Sequence, residues 1–283
     1  MIVEPKILNN ICISAHPLGC KKEVENQINY VKSQPKIKSN VKNALILGAS
    51  GGYGLASRIA IAYGLGAKTI GVSFEKPATE RRTATPGWYN NEAFSEFAKK
   101  DGIEEKTLIL DAFLNASKEE VIKEAKSFFD GKIDLFIYSL AAPVRMDEKT
   151  GILYRSTLKP IGKTYNGMGI DFMTEELLNV SIEPANEEDI KNTIKVMGGE
   201  DWQLWTDALI NADMLSKNAI NIAYSYIGPE MTKAVYRDGT IGKAKDDLEK
   251  TAHDLDKKMQ EKIKGHAYVS VNKAVVTRAS AVI

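Results

Sequence analysis

The chain alternates short apolar segments with amphipathic ones over its first 142 residues, and this rhythm constrains the fold more than any other feature. Four segments rich in small and β-branched residues have the composition of strands: 43–50, 67–75, 106–113 and 132–142. Helical patterns follow from Gly52, from Asn90 and from Ser117, which is a candidate N-cap for a helix that Gly131 would end. Strands that alternate with single helices predict a parallel sheet covered by helices on both faces.

The alternation of strands and helices is interrupted between 143 and 200, where a long polar stretch predicts an insertion over the carboxyl edge of the sheet. A helix around Trp202 and Trp205 follows, and its spacing indicates that both indoles belong to the core. Three further elements complete the pattern: a strand at 220–228, a helix at 241–264 and a last strand within 267–277. Together they predict an α/β fold, a Rossmann-like doubly wound parallel sheet, and 283 residues fit a single domain spanning 1–283.

The composition excludes several classes of partner. Lys and Arg number 38 against 37 Asp and Glu, so a net charge of +1 supplies no broad field for nucleic acid or an anionic membrane. The first residues lack the basic start and apolar run of a secretory signal, and no segment is apolar over the thickness of a bilayer. We therefore predict a cytoplasmic protein.

Cysteine and histidine give no sign of a disulfide framework or a metal site. Cys12 and Cys20 are two thiols in a long chain, and we interpret them as reduced packing residues. His16, His253 and His266 lack the spacing of metal ligands, so no metal is predicted.

Glycines cluster where the first strand meets the first helix, in the segment LILGASGGYGLASRIA. Gly48, Gly52 and Gly54 form G-x-x-x-G-x-G, in which glycine permits a sharp turn and lets backbone N–H groups approach a pyrophosphate at a helix N-terminus. A tight turn without a ligand would need the same glycines. Because a strand precedes them and a helix follows, the segment favours a dinucleotide cofactor.

Glu75 ends the second strand, 21 positions past Gly54, where dinucleotide-binding folds place an acid on the adenosine ribose. A carboxylate there accepts a hydrogen bond from a free 2′-hydroxyl and repels a 2′-phosphate, which favours NADH over NADPH. Lys76, Arg81 and Arg82 follow closely and would suit a phosphate instead. A solvated strand end is the remaining interpretation of Glu75.

Small residues end the third and fourth strands, which is what a cofactor crevice requires. Asp111 and Ala112 end the third strand, and Ser-Leu-Ala-Ala at 139–142 ends the fourth. Carboxyl ends of parallel strands line the ligand crevice of an open α/β sheet.

The segment YRDGTIGKAK places Tyr236 and Lys245 nine positions apart. An unbroken helix would turn by about 900° over that distance and point the two side chains to opposite faces. The turn-forming residues at 237–239 and a candidate N-cap at Thr240 predict that a helix begins between Tyr236 and Lys245. The phenol and the ammonium could then meet, and the ammonium would favour the ionised phenol and make it a better acid.

The other interpretation of this pair is a surface tyrosine beside a loop and a solvated helix lysine. Tyr224 and Tyr226 lie two positions apart on the preceding strand, and either could reach the same site.

The chain resembles the NADH-dependent trans-2-enoyl-CoA reductases of the clostridial type and the FabV-type enoyl-acyl-carrier-protein reductases, a branch related to the short-chain dehydrogenases. The shared motifs are spread over nearly all of the chain: ICISAHPLGC, GASGGYGLA, the strand end SFE, SLAAPVR, YSYIGPE and, most specific, Tyr-x8-Lys.

This resemblance implies NADH-dependent reduction of the carbon–carbon double bond of a 2-enoyl thioester. It also implies that Tyr236 is the proton donor, Tyr226 a substrate contact and Lys245 a cofactor contact. The further residues that match cofactor contacts of the family are Gly48, Ala49, Ser50, Gly51, Gly52, Tyr53, Phe74, Glu75, Asp111, Ala112, Leu140, Ala141, Val275, Val276 and Thr277. Members of the family continue beyond the strand near Thr277, so we expect the chain to be a truncated form.

Two other functions remain open at this stage. A carbonyl reductase acting on 3-ketoacyl thioesters would use the same two residues to protonate an alkoxide, and a non-catalytic NAD(H) sensor would need only the fold. The sequence leaves coenzyme A and acyl carrier protein open as the carrier, and we expect a monomer or a weak oligomer.

Overall fold

A computed structural model describes residues 2–4, 6–8, 11–12, 14–170, 176–273 and 275. Its strands are β1 (Ile7–Leu8), β2 (Ile11–Cys12), β3 (Asn43–Leu47), β4 (Lys68–Ser73), β5 (Glu105–Ile109), β6 (Ile133–Tyr138), β7 (Val144–Asp147), β8 (Ile152–Arg155), β9 (Tyr165–Ile170), β10 (Leu177–Ile182), β11 (Leu215–Ser225) and β12 (His266–Val271). Its α-helices are α1 (Pro17–Ser33), α2 (Gly52–Ile59), α3 (Pro86–Asp101), α4 (Asn115–Phe128), α5 (Glu187–Met197), α6 (Glu200–Asn211) and α7 (Thr240–Ile263). A π-helical segment at Ala60–Leu65 continues α2. Within the described residues we find no helix that combines the length and the apolarity of a membrane span.

A six-stranded parallel sheet forms the centre of the molecule, in the order β12-β11-β6-β3-β4-β5. Strand β3 pairs with β4 on one side and with β6 on the other. The direction of winding therefore reverses at β3, and the carboxyl ends of β3 and β6 flank the kind of crevice that binds ligands in open α/β sheets. The predicted fold class is confirmed.

Both faces of this sheet are covered, so its central strands are largely buried. All five residues of β3 are buried, as expected for a strand with helices on each side. Trp202 and Trp205 have no exposed surface, which confirms their prediction as core residues. Each indole N–H keeps a partner, because Trp202 donates to Asn221 Oδ1 at 2.7 Å and Trp205 donates to the carbonyl oxygen of Ala112 at 2.9 Å.

Arg58 fastens α2 to the sheet through a buried guanidinium group. It donates to Glu105 Oε2 at 2.5 Å and to the carbonyl oxygen of Lys106 at 2.8 Å, and it lies 4.4 Å from the centroid of the Phe94 ring. A buried charge is tolerated only where such partners replace water. Since Arg58 lies at the end of α2 and Glu105 begins β5, this contact leaves the N-terminus of α2 at the carboxyl edge of the sheet.

The segment between β6 and α6 leaves the central sheet and forms two antiparallel hairpins and a helix. Strand β7 pairs with β8 and β9 pairs with β10, and α5 follows with an Asn186–Asp189 capping box. Over the described part of the chain neither hairpin joins the parallel sheet, so the strand order that forms the crevice is uninterrupted.

Three predicted helix boundaries are wrong. Helix α4 ends at Phe128 with Phe129 as its C-cap, so Gly131 lies beyond the end that it was predicted to form. Helix α4 begins at Asn115, so Ser117 lies buried inside its first turn. Thr240 is the first residue of α7, and Gly239 occupies the cap position without a side-chain bond. The Thr240 hydroxyl bonds a distant segment instead, because it accepts from the Lys159 N–H at 3.2 Å and donates to the carbonyl oxygen of Thr157 at 2.5 Å. A tertiary contact has replaced the local one that the sequence favoured.

Candidate active site

The glycine turn connects β3 to α2 at the point where the winding of the sheet reverses. Gly48 has a φ of +78°, and a Cβ at this position would lie 2.1 Å from the carbonyl oxygen of Ser139, at the end of β6. The N–H groups of Gly48 and Ala49 both donate to the carbonyl oxygen of Val72, at 2.8 and 3.1 Å. Only glycine satisfies both the positive φ and the close approach.

Helix α2 starts at Gly52 with no side-chain cap on its first N–H groups. Among the described residues, a Cβ at Gly51 or Gly52 would meet no atom within 4 Å. The start of the helix therefore offers open space together with N–H donors, which is the arrangement that suits a pyrophosphate.

Glu75 is held against this turn by two hydroxyl groups. Its carboxylate accepts hydrogen bonds from Ser50 Oγ at 2.5 Å and from Thr85 Oγ1. Asn90 donates to the carbonyl oxygen of Ser50 at 2.9 Å and fixes the same turn from α3. The carboxylate is thus fixed beside the glycine turn, and Phe74 before it is 65% exposed.

A buried polar network that the sequence analysis missed joins the ends of β5 and β6. Lys118 Nζ lies 3.0 Å from Asp201 Oδ1 and donates to the carbonyl oxygens of Ala112 and Phe113, each at 3.2 Å. The Tyr138 hydroxyl donates to Asp201 Oδ2 at 3.0 Å. Burial raises the pKa of Asp201, and the nearby Lys118 opposes this rise. No local signal could reveal the network, because its members come from α4, α6 and β6.

Two of the predicted cofactor segments lie beside this network. The Asp111–Ala112 segment is held by Lys118 through the Ala112 carbonyl, and Asp111 Oδ1 accepts from the Phe113 N–H at 3.0 Å. Leu140 and Ala141 follow β6, next to the Ser139 carbonyl that Gly48 approaches. Both segments therefore lie at the carboxyl edge of the sheet.

Tyr226, Tyr236 and Lys245 form a cluster at the same edge. Helix α7 begins at Thr240, which confirms the predicted break between Tyr236 and Lys245. The rings of Tyr226 and Tyr236 lie 5.6 Å apart at 59°. Lys245 Nζ lies 6.0 Å from the centroid of the Tyr226 ring. Tyr226 thus contacts both members of the predicted pair.

Burial decides the protonation of this cluster. It raises the pKa of Tyr226 and the pKa of Tyr236, and for Tyr236 the neighbouring Tyr226 opposes the rise. Burial also lowers the pKa of Lys245 to about 8, against the opposing charge of Glu249. The expectation that the ammonium lowers the pKa of Tyr236 is wrong for this structure, since Lys245 faces Tyr226 and burial controls the phenol.

Tyr224 has a different environment from Tyr226. Its hydroxyl lies 2.5 Å from Ser57 Oγ, and its ring lies edge-on to Tyr53 at 6.2 Å. The Tyr53 hydroxyl donates to the carbonyl oxygen of Lys273 at 2.6 Å. Tyr224 thus packs on α2, and Tyr226 is the one that contacts Tyr236.

The last predicted cofactor segment is described only in part. Val275 is 48% exposed, whereas Val276 and Thr277 lie outside the described residues.

A doubly wound parallel sheet with a glycine turn at its reversal point and a Tyr–Tyr–Lys cluster at the same edge defines a dinucleotide-dependent oxidoreductase. Residues 2–80 match the NAD(P)H-binding domain of trans-2-enoyl-CoA reductase, and residues 82–283 match its catalytic region. The chain belongs to the trans-2-enoyl-CoA reductase family, as its motifs predicted.

Three relatives define the similarity. The chain is 86% identical over 284 residues to a trans-2-enoyl-CoA reductase [NADH] of Brachyspira hyodysenteriae, covering all of this chain and 72% of that protein. It is 54% identical over 283 residues to an enoyl-[acyl-carrier-protein] reductase [NADH] of Flavobacterium johnsoniae, covering all of this chain and 71% of that protein. The crystal structure of the Clostridium acetobutulicum trans-2-enoyl-CoA reductase in complex with NADH superposes with a TM-score of 0.96 at 51% identity, covering 99% of this chain and 70% of that one.

We expect Gly48→Ala to weaken NADH binding at least tenfold, because the new methyl group would collide with the Ser139 carbonyl and displace the turn. Gly66→Ala is the matched control, since Gly66 also has a positive φ of 70° but a Cβ there meets no atom within 4 Å. Titration of NADH fluorescence measures both affinities. Equal losses in the two variants would mean that backbone strain, and not the contact with Ser139, determines the effect.

The lowered pKa of Lys245 predicts a pH-dependent contribution to stability. Below about pH 8 Lys245 is protonated in both the native and the unfolded chain. Between about pH 8 and 10.5, the ordinary pKa of lysine, it is protonated only in the unfolded chain. The free energy of unfolding of the wild type, relative to Lys245→Met, should therefore rise with pH across this window. Urea unfolding at several pH values measures the difference, with Lys243→Met, an exposed residue of the same helix, as the baseline. A flat difference for Lys245 would contradict the burial of its ammonium group.

Proposed function

We propose that this chain reduces the carbon–carbon double bond of trans-2-enoyl thioesters with NADH, through the Tyr226–Tyr236–Lys245 cluster. NADH, when bound, supplies a hydride to the β-carbon while the α-carbon takes a proton, so that the double bond becomes single and NAD⁺ is left. The packing of the Tyr226 ring against both Tyr236 and Lys245, at the edge that holds the glycine turn, carries this proposal.

The residues of the crevice suit this cofactor. The turn at Gly48 has room for no side chain, and the start of α2 presents uncapped N–H groups to an anion. Glu75 is fixed beside the turn and would hydrogen-bond a ribose hydroxyl, while its charge would repel a 2′-phosphate. Lys245 would hold the cofactor from the other side of the crevice, and an anionic ligand beside it would raise its pKa again.

The cluster is suited to stabilise charge on the substrate. As negative charge develops on the thioester oxygen, a neutral Tyr236 donates a hydrogen bond to it, and burial keeps the phenol protonated for this purpose. Tyr226, whose ring lies 5.6 Å from that of Tyr236, would support this phenol as charge moves toward it. The protein thereby contributes position and electrostatic stabilisation.

We expect Tyr236→Phe to lower kcat by about 10²-fold or more while NADH affinity changes little, because the ring remains and only the proton donor is removed. Tyr224→Phe is the matched control, since its hydroxyl is engaged by Ser57 outside the cluster. Steady-state kinetics with crotonyl-CoA and NADH titrations measure the two quantities. Full activity in Tyr236→Phe would remove Tyr236 from the mechanism.

The same residues could also protonate an alkoxide, so a 3-ketoacyl thioester reductase is the second candidate. We expect crotonyl-CoA to be reduced with a higher kcat/KM than acetoacetyl-CoA, both with NADH. A preference for acetoacetyl-CoA would favour the ketoreductase. Tight NADH binding without turnover of either compound would favour a non-catalytic sensor.

The proposal also covers the carrier of the acyl group, the domain organisation of the chain and its oligomeric state. Relatives named for coenzyme A and for acyl carrier protein support a thioester on either carrier. We propose that residues 1–283 act as one unit, because the boundary between the two matched family regions, near residue 81, falls between strands of one sheet. A monomer or weak oligomer in the cytoplasm stays a prediction.

A further inference from the structure

The turn that carries Tyr236 is tied to the start of α7 through its own backbone. The carbonyl oxygen of Tyr236 accepts hydrogen bonds from the N–H groups of Gly239 and Gly242, at 3.2 and 2.9 Å. A Cβ at Gly242 would lie 1.8 Å from the carbonyl oxygen of Arg237, so this close winding requires glycine. Any movement of the first turn of α7 is therefore transmitted directly to Tyr236.

Thr240 lies between these two glycines and joins the turn to the segment that follows β8. Its side chain is fully buried. Its hydroxyl donates to the carbonyl oxygen of Thr157 at 2.5 Å and accepts from the Lys159 N–H at 3.2 Å. Its own N–H donates to the carbonyl oxygen of Lys159 at 3.0 Å. Three hydrogen bonds thus converge on one residue, and none of them is a helix cap.

The far side of this contact is itself fixed to α5. The Thr157 N–H donates to Thr193 Oγ1 at 3.0 Å, and Thr193 Oγ1 donates to the carbonyl oxygen of Asp189 at 2.7 Å. Lys159 Nζ lies 2.8 Å from Asp189 Oδ2. The segment 157–159 is therefore held by α5 and would not simply move together with Thr240.

We propose that Thr240 is a positioning residue, whose buried hydroxyl sets Tyr236 against Tyr226 and Lys245 by anchoring the first turn of α7 to the segment 157–159. This inference rests on the proposed function, because positioning has a catalytic meaning only if Tyr236 is the proton donor. It assigns a part in catalysis to the segment between β6 and α6, which supplies none of the clustered side chains. The first turn of α7 then connects the segment 157–159 to the proton donor Tyr236.

Thr240→Val tests the proposal, since it keeps the branched shape and removes the hydroxyl, while Thr240→Ser keeps the hydroxyl. We expect Thr240→Val to lower kcat for crotonyl-CoA by about tenfold or more through misplacement of Tyr236. Thr240→Ser should recover most of the activity, and the Kd of NADH should stay within about threefold of wild type in both. The solvent isotope effect on kcat should increase in Thr240→Val, because proton transfer becomes slower. If part of the protein were merely unfolded, the isotope effect, the Kd of NADH and the kcat per folded molecule would all stay unchanged.

Thr251→Val is the matched control, because Thr251 lies on the same helix and its hydroxyl donates within that helix, to the carbonyl oxygen of Asp247 one turn earlier. Its kcat should stay near wild type. If Thr240→Val does not fold, Thr193→Val weakens the same support from α5 and should lower kcat in the same direction by a smaller factor. Activity in Thr240→Val equal to that of Thr251→Val, or an equal loss in Thr240→Ser, would overturn the proposal.

A readout that needs no turnover separates this inference from the proposed function. Ultraviolet difference spectra recorded against pH follow the ionisation of tyrosine phenols. The transition that is missing in Tyr236→Phe belongs to the phenol of Tyr236. Thr240→Val should shift that transition, and Thr251→Val should leave it in place. An unshifted transition would refute the positioning role. A wild-type chain that reduces no enoyl thioester, yet shows the shift, would refute only the proposed function.

Discussion

The close approach of Gly48 to the Ser139 carbonyl is the contact on which the rest of the site depends. It brings the end of β3 against the end of β6, where the winding of the sheet reverses, and it leaves the start of α2 open to a ligand. The same edge continues through β11 to Tyr226, since adjacent parallel strands end together. A methyl group at this one position would separate the two strand ends, and with them the cofactor turn and the aromatic cluster.

Burial, and not the charge of the lysine, sets the chemical state of that cluster. A phenol out of water keeps its proton, while an ammonium group out of water loses it more readily. Burial therefore favours the protonated form of both phenols, and Lys245 is the group whose pKa a bound anion would raise again. The ring of Tyr226 lies near both of the other members, 5.6 Å from the ring of Tyr236 and 6.0 Å from Lys245 Nζ.

Much of the site was predictable because its signals are local. Positive φ at a strand–helix junction demands glycine, so Gly48 stood out from the sequence, and turn chemistry before Thr240 revealed the break in the helix. The Lys118–Asp201–Tyr138 network was not predictable, since a buried lysine looks in sequence like any surface lysine. Thr240 was misassigned as a cap for a related reason, because its local preference competes with a partner some eighty residues away, at Thr157.

The sequence by itself determined the alternation of strands and helices, the glycine turn, and the presence of a tyrosine and a lysine on either side of a helix start. Each of these follows from neighbouring residues, whose backbone and side-chain preferences act over a few positions. Only the tertiary structure decided which hydroxyl faces which carbonyl, that Tyr226 stands between Lys245 and Tyr236, and which groups lose their water. Hydrogen bonding and desolvation are properties of the packed neighbourhood, and residues far apart in the chain create it.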